Sequence, residues 1–153
     1  MNAMAPPRPA APHRCQVRLA AAPAAPGEAR RQVRAAIRAW DVPVDLDVAV
    51  LLTSELVTNA IRHEPGEATL TINCSGGQLR VDVYDTGCSL PVLVDAPADA
   101  EAGRGLMLVA TLSAEWGFYR TPAGKAVYFT LAFEPGSAED GERGPREVQT
   151  WGL

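Results

Sequence analysis

The segment from Val44 to His63 contains no glycine or proline and is mostly Val, Leu, Ala and Ile. Such a run predicts a long helix that is largely buried. Its later turns carry the strongly polar Glu55, Asn59 and Arg62. At roughly 100° per residue they fall within about 60° of one another, on one stripe of the helix. A carboxylate or amide buried without a partner costs on the order of several kcal/mol. The stripe therefore either faces solvent or meets polar partners, and on this stretch alone the two readings weigh equally.

Length and charge bound the rest. A chain of 153 residues and 16.2 kDa suits one domain with its own core. A net charge of -4 and a pI near 5.2 argue against a nucleic-acid surface. No stretch approaches the roughly 18 apolar residues of a membrane span. The Ala- and Pro-rich start has no apolar core of a signal peptide. Cys15, Cys74 and Cys88 are odd in number and lack metal-ligand spacing, which reads as reduced thiols in a cytoplasmic protein.

The chain divides into a disordered N-terminal tail (residues 1–13), a folded domain (14–134) and a flexible C-terminal tail (135–153). Alternation predicts a strand over Cys15 to Ala20. A helix follows from Glu28 to Trp40, with Val33, Ile37 and Trp40 on one face. Its arginines, Arg30, Arg31, Arg34 and Arg38, read as a solvated face or a docking face for an acidic partner. After the helix that ends at His63, strands are expected over Ala68 to Cys74 and Leu79 to Tyr84, joined by a Gly76-Gly77 hairpin turn. A long Pro- and Ala-rich loop, Cys88 to Ala102, precedes a helix opened by Gly103-Arg104-Gly105-Leu106 and ending at Leu112. Strands over Ser113 to Tyr119 and Lys125 to Phe133 complete the order β, α, α, β, β, loop, α, β, β. The expected fold class is α+β, a two-layer α/β sandwich whose mixed, mostly antiparallel sheet carries helices on one face.

Three features carry chemistry. Asn59 offers a neutral oxygen suited to Mg²⁺, which keeps several waters and shares phosphate oxygens. Asp85-x-Gly87 ends a strand with a carboxylate able to accept from the exocyclic amine of adenine, and Gly87 lets the backbone approach a flat base. Gly103-x-Gly105 at a helix start frees backbone amides for phosphate. Arg62 and Arg104 are donors to phosphate oxygens, and Glu55 can accept a proton from a hydroxyl. Taken singly, Asp-x-Gly is also a routine turn and Gly-x-Gly a plain loop-to-helix junction. Neither a P-loop nor a complete dinucleotide fingerprint is present.

Together and in this order the features resemble one superfamily. Glu55-Leu-Val-Thr-Asn59-Ala-Ile-Arg62-His63 is similar to the N box of the ATPases shared by gyrase, the heat-shock chaperone, histidine kinases and mismatch-repair proteins. Asp85-Thr-Gly87 resembles the G1 box, Gly103-Arg-Gly105-Leu106 the G2 box, and Gly124-Lys-Ala-Val the final strand. The stand-alone form, with Glu four residues before Asn, resembles the anti-sigma factor serine kinases, and Gly103-Arg-Gly-Leu-Met-Leu-Val followed by Trp116-Gly117 resembles their small actinobacterial members.

The resemblance implies a histidine-kinase-like ATPase fold binding ATP and Mg²⁺. Glu55 would be the catalytic base and Asn59 the metal ligand. Asp85 and Gly87 would hold adenine, while Gly103, Arg104, Gly105 and Leu106 would line the phosphates under a lid, Cys88 to Ala102. Arg62 and His63 would lie near the nucleotide. The implied partners are a sigma factor and an anti-anti-sigma protein of the STAS type, with the kinase often a homodimer and with no direct contact to nucleic acid or membrane. A nucleotide-gated regulator without kinase activity is the alternative function, and a nucleotide-free adaptor a third. The chain departs from the pattern in three respects. Its G1 box lacks the second glycine, Ala126 stands where the family often has a Thr reaching the adenine region, and neither an F box nor a helix pair with a phosphoacceptor histidine is recognisable.

Overall fold

The computed structural model of the chain describes residues 12–63, 66–87 and 101–134, with the side chains of residues 63 and 101–104 outside that description. Residues 1–11 and 135–153 of the expected tails, and residues 88–100 of the expected lid with Cys88, lie outside it, whereas the last residue of the expected N-terminal tail, His13, is corrected to the first residue of a strand.

The first strand, β1 (His13–Leu19), leads into α1 (Ala25–Trp40) and α2 (Leu46–His63). A hairpin follows, β2 (Ala68–Ser75) and β3 (Gln78–Asp85), then α3 (Glu101–Leu112) and a second hairpin, β4 (Glu115–Thr121) and β5 (Gly124–Ala132). Helix α1 starts at Ala25, with Pro26 in the first turn where its missing N–H is harmless. It buries Val33, Ile37 and Trp40, the face read from the sequence, and stops at Asp41 in the left-handed region, φ 53° and ψ 48°. Asp45 caps α2, its Oδ1 accepting from the Val48 amide at 3.1 Å. The β2–β3 hairpin turns on Gly76 and Gly77, at φ 60° and 78°. Positive φ at both positions matches the twist of the flanking strands, and glycine adopts it without steric penalty.

The five strands form one sheet in the order β1-β2-β3-β5-β4, and every pairing is antiparallel. The expected mixed sheet is thus corrected to an antiparallel one. The chain crosses from β3 to β4 through α3, as parallel neighbours would, but β5 inserts between them and pairs antiparallel with both. The α+β class and the helix-on-sheet layering stand as expected.

Successive strand residues face opposite sides. Leu79, Val81, Val83 and Asp85 on β3 therefore share a face with Lys125, Val127, Phe129 and Leu131 on β5, and this face lies under the helices. Leu52, Leu56 and Val57 of α2 and Val109 of α3 close the core above it. Each fully buried side chain of this kind contributes about 1.5–3 kcal/mol relative to leaving it in water. Trp40 lies in this core and stacks on His13 at 5.2 Å between ring centroids, and Trp116 packs against its edge. The third tryptophan, Trp151, is outside the described residues.

On the opposite side of the sheet a polar cluster replaces a second hydrophobic layer. Asp82, 3% exposed, accepts two hydrogen bonds from the Arg80 guanidinium at 2.9 and 3.0 Å and one from the Tyr119 hydroxyl at 3.0 Å. The guanidinium lies 3.9 Å from the Tyr128 ring centroid. Burial, first, and then the bonds to Tyr84 and Asp82 push the Tyr119 hydroxyl well above the ordinary tyrosine range, while Asp82 holds Arg80 firmly charged.

Candidate functional site

Helix α2 carries the polar stripe across β3, and the stripe is graded. Glu55 is half-buried, Asn59 is buried at 8% exposure, and Arg62 is exposed. Neither alternative for the stripe holds along its whole length: the Arg62 end meets solvent and the Asn59 amide does not. Arg62 also lines a cavity of about 360 Å³ with Thr58, Ile61 and the loop residues Ala21, Ala22 and Pro23. Its surroundings include the β1–α1 loop. His63 closes the helix, and its side chain lies outside the described residues.

At the end of β3 the structure builds a tight polar group. Asp85 is 6% exposed. Its Oδ1 accepts from the Gly87 amide at 2.8 Å and from the Lys125 ammonium, also at 2.8 Å. The two charged side chains are 4% and 3% exposed, so the ion pair is screened from water. The other carboxylate oxygen, Oδ2, is buried and finds no partner among the described residues. The Thr53 and Ser113 hydroxyls share that state. An ionised carboxylate oxygen, however, is far costlier to leave unsatisfied than a hydroxyl. It is the atom most in need of a donor among the described residues.

Gly124 makes this arrangement possible. A Cβ there would lie 2.1 Å from the Asp85 carbonyl oxygen and 2.6 Å from the Thr86 Cα, both backbone atoms that cannot swing aside. Glycine lets the β4–β5 turn close over the end of β3 and brings Lys125 opposite Asp85 in register.

Lys125 was not among the expected site residues. A signal for it existed: Lys125, Val127, Phe129 and Leu131 alternate in one phase, so a lysine occupies the inward phase of an otherwise apolar strand. The expectation for Ala126 changes accordingly. Ala126 pairs with Tyr84 and faces the side of the sheet away from the helices, so Lys125, its neighbour, confronts Asp85.

The third motif sits differently from its sequence reading. Helix α3 begins at Glu101, so Gly103 and Gly105 lie inside its first turns and do not precede it. In a helix running from residue 101, the amides of residues 101–103 have no intrahelical acceptor, whereas the amide of residue 105 reaches back to residue 101. The Gly103 amide belongs to the open first turn, whereas the Gly105 amide does not. Gly105 has a steric role in addition: a Cβ on it would come within 2.5 Å of Glu55 Oε1. Its absence lets α3 pack directly on the Glu55 carboxylate. Leu106 points into the interior at 4% exposure, and the Arg104 side chain lies outside the described residues.

Among the described residues no group of three or more His, Cys, Asp or Glu converges as a metal site. No helix among the described residues is long and apolar enough to cross a membrane.

The arginine face of α1 is partly committed within the fold. Arg30 donates to the Ser54 hydroxyl on α2 at 2.9 Å, and Arg31 pairs with Glu28 on its own helix. Gln32 also donates to Glu28, at 2.9 Å, and the bonds from Gln32 and Arg31 hold the Glu28 carboxyl below its usual range.

A search of curated proteins finds no match. The family model for the histidine kinase-like ATPase domain matches residues 19–131, the larger part of the chain and nearly all of the described fold. That match, the antiparallel sheet under three helices, and the buried acceptor at the end of β3 agree with one another: the chain belongs to the histidine kinase-like ATPase domain family.

Proposed function

We propose that the protein binds ATP with Mg²⁺ and acts as an anti-sigma factor and protein serine kinase on a STAS-type anti-anti-sigma partner. The domain family implies ATP binding. The observation that carries the reading is the buried, unpartnered Asp85 Oδ2, which fits the adenine 6-amine in hydrogen-bonding sense. Gly87 and Gly124 keep the backbone close around it.

Asn59 would supply one neutral oxygen to magnesium, with phosphate oxygens and waters as its other ligands. Bound ATP supplies the phosphoryl group. Glu55, half-buried and close to the start of α3 at Gly105, would take the proton of a partner serine. As that proton moves to the carboxylate, the serine oxygen bonds to the γ-phosphorus, and the bond from that phosphorus to the β–γ bridging oxygen breaks. Positioning and charge neutralisation do most of the remaining work in such transfers.

The test is incubation with labelled ATP and a STAS protein from the same genome. Label should move to the partner with wild type, and Glu55→Ala should bind ATP without transferring it. ATP binding with no transfer by wild type would favour the nucleotide-gated regulator. Unchanged transfer by Glu55→Ala would remove Glu55 from the role of base.

A further inference from the structure

A lysine in the inward phase of an apolar strand has to be paired, because a buried lone ammonium is too costly to keep charged. Asp85 Oδ1 pairs Lys125 at 2.8 Å. The ammonium carries three N–H donors, and this contact uses one of them. The Gly87 amide takes the same carboxylate oxygen, so Asp85 is fixed from two directions and Oδ2 is left over. The pair therefore offers an acceptor, Oδ2, beside a donor, the Lys125 ammonium, in surroundings from which water is largely excluded. An adenine edge carries the complement on adjacent ring positions: the 6-amine donates and N1 accepts. A guanine edge carries the two reversed, with an acceptor at position 6 and an N–H at position 1.

We propose that Lys125 is a specificity-determining residue of the nucleotide site, donating to N1 of the base while Asp85 Oδ2 accepts from its 6-amine. This inference rests on the ATP reading of the site. Lys125 then has two functions: it neutralises Asp85 within the fold, and it reads the ring atom next to the amine. A guanine in the same orientation would set O6 against the carboxylate and N1–H against the ammonium, both unfavourable.

The test compares ATP with 1-deaza-ATP, which has C–H in place of N1 and keeps the 6-amine. Wild-type protein and Lys125→Met are titrated with each in magnesium buffer. Wild type should bind ATP about tenfold or more tighter than the deaza analogue, the scale of one hydrogen bond to a charged group. Lys125→Met should bind the two within about threefold, having lost the donor. Equal binding of both ligands by wild type would overturn the role of Lys125 and leave the ATP site standing. The full wild-type preference persisting in Lys125→Met would overturn it too, since another group would then be the donor. No ATP binding by wild type would overturn the site reading and this inference with it. Lys125→Gln keeps a donor for Asp85 should the Met variant not fold, and the wild-type comparison of two ligands requires no variant.

Discussion

Asp85 and Lys125 are 4% and 3% exposed, so neither charge can be relieved by water when the other is removed. Breaking a buried pair from one side typically costs about 3–5 kcal/mol, whereas replacing both partners by apolar residues is often neutral. Asp85→Leu should therefore destabilise the fold by about that amount. Asp85→Leu combined with Lys125→Met should recover most of the loss, a non-additivity read by urea denaturation of the four proteins. Two glycines give a contrasting pair. In Gly124→Ala the new methyl meets fixed backbone at 2.1 Å, so a loss of about 1–3 kcal/mol or more is expected. In Gly105→Ala it meets the end of the Glu55 side chain, which can rotate away. That variant should keep nearly all its stability and lose phosphotransfer, as seen by thermal melting beside the labelled-ATP assay. Equal melting losses in the two variants would contradict this distinction.

Helix α2 has two very different faces, and substitutions along it should separate them. Leu52, fully buried, should lose about 2–5 kcal/mol when cut to alanine. Leu51, 39% exposed, should change by no more than about 0.5 kcal/mol. In β2, burial pushes the Cys74 thiol up to about 11. The unfolded thiol ionises near 8.5, so between these values the unfolded chain releases a proton that the folded chain retains. The stability that Cys74 lends is present below that range and declines as pH rises through it. Wild type should lose more stability than Cys74→Ala between pH 8 and about 11 in paired denaturation curves. The elements themselves were largely legible: periodicity found both long helices, and Gly76-Gly77 marked the hairpin. The start of α3 was not, because Gly103 and Gly105 are poor helix formers and drew the boundary past Glu101. Register was not legible either. Without it, Ala126 could not be assigned to the far face or Lys125 to Asp85.

Across the whole molecule, the order of elements along the chain was readable, but the order of strands in the sheet was not. Local pattern says nothing of β5 entering between β3 and β4, a pairing set by contacts distant in sequence. The cluster of Arg80, Asp82, Tyr119 and Tyr128 was invisible for the same reason, since it assembles from three strands. The nucleotide motifs lie far apart in the chain, and their resemblance to a family identified them before any contact could. The fold then adds the buried ion pair at the end of β3 and the packing of Gly105 on Glu55. Both depend on the sheet and the three helices closing as one unit, and the ATP site at the end of β3 is the claim on which the functional reading turns. The most direct measurement is calorimetric titration of wild type and Asp85→Asn with ATP and magnesium, each first shown to be folded by circular dichroism. Wild type should bind one ATP per chain, and Asp85→Asn should bind at least about tenfold more weakly, the scale of losing a hydrogen bond to a charged acceptor. Equal affinity in the two proteins, or no binding by wild type, would contradict an adenine site at Asp85.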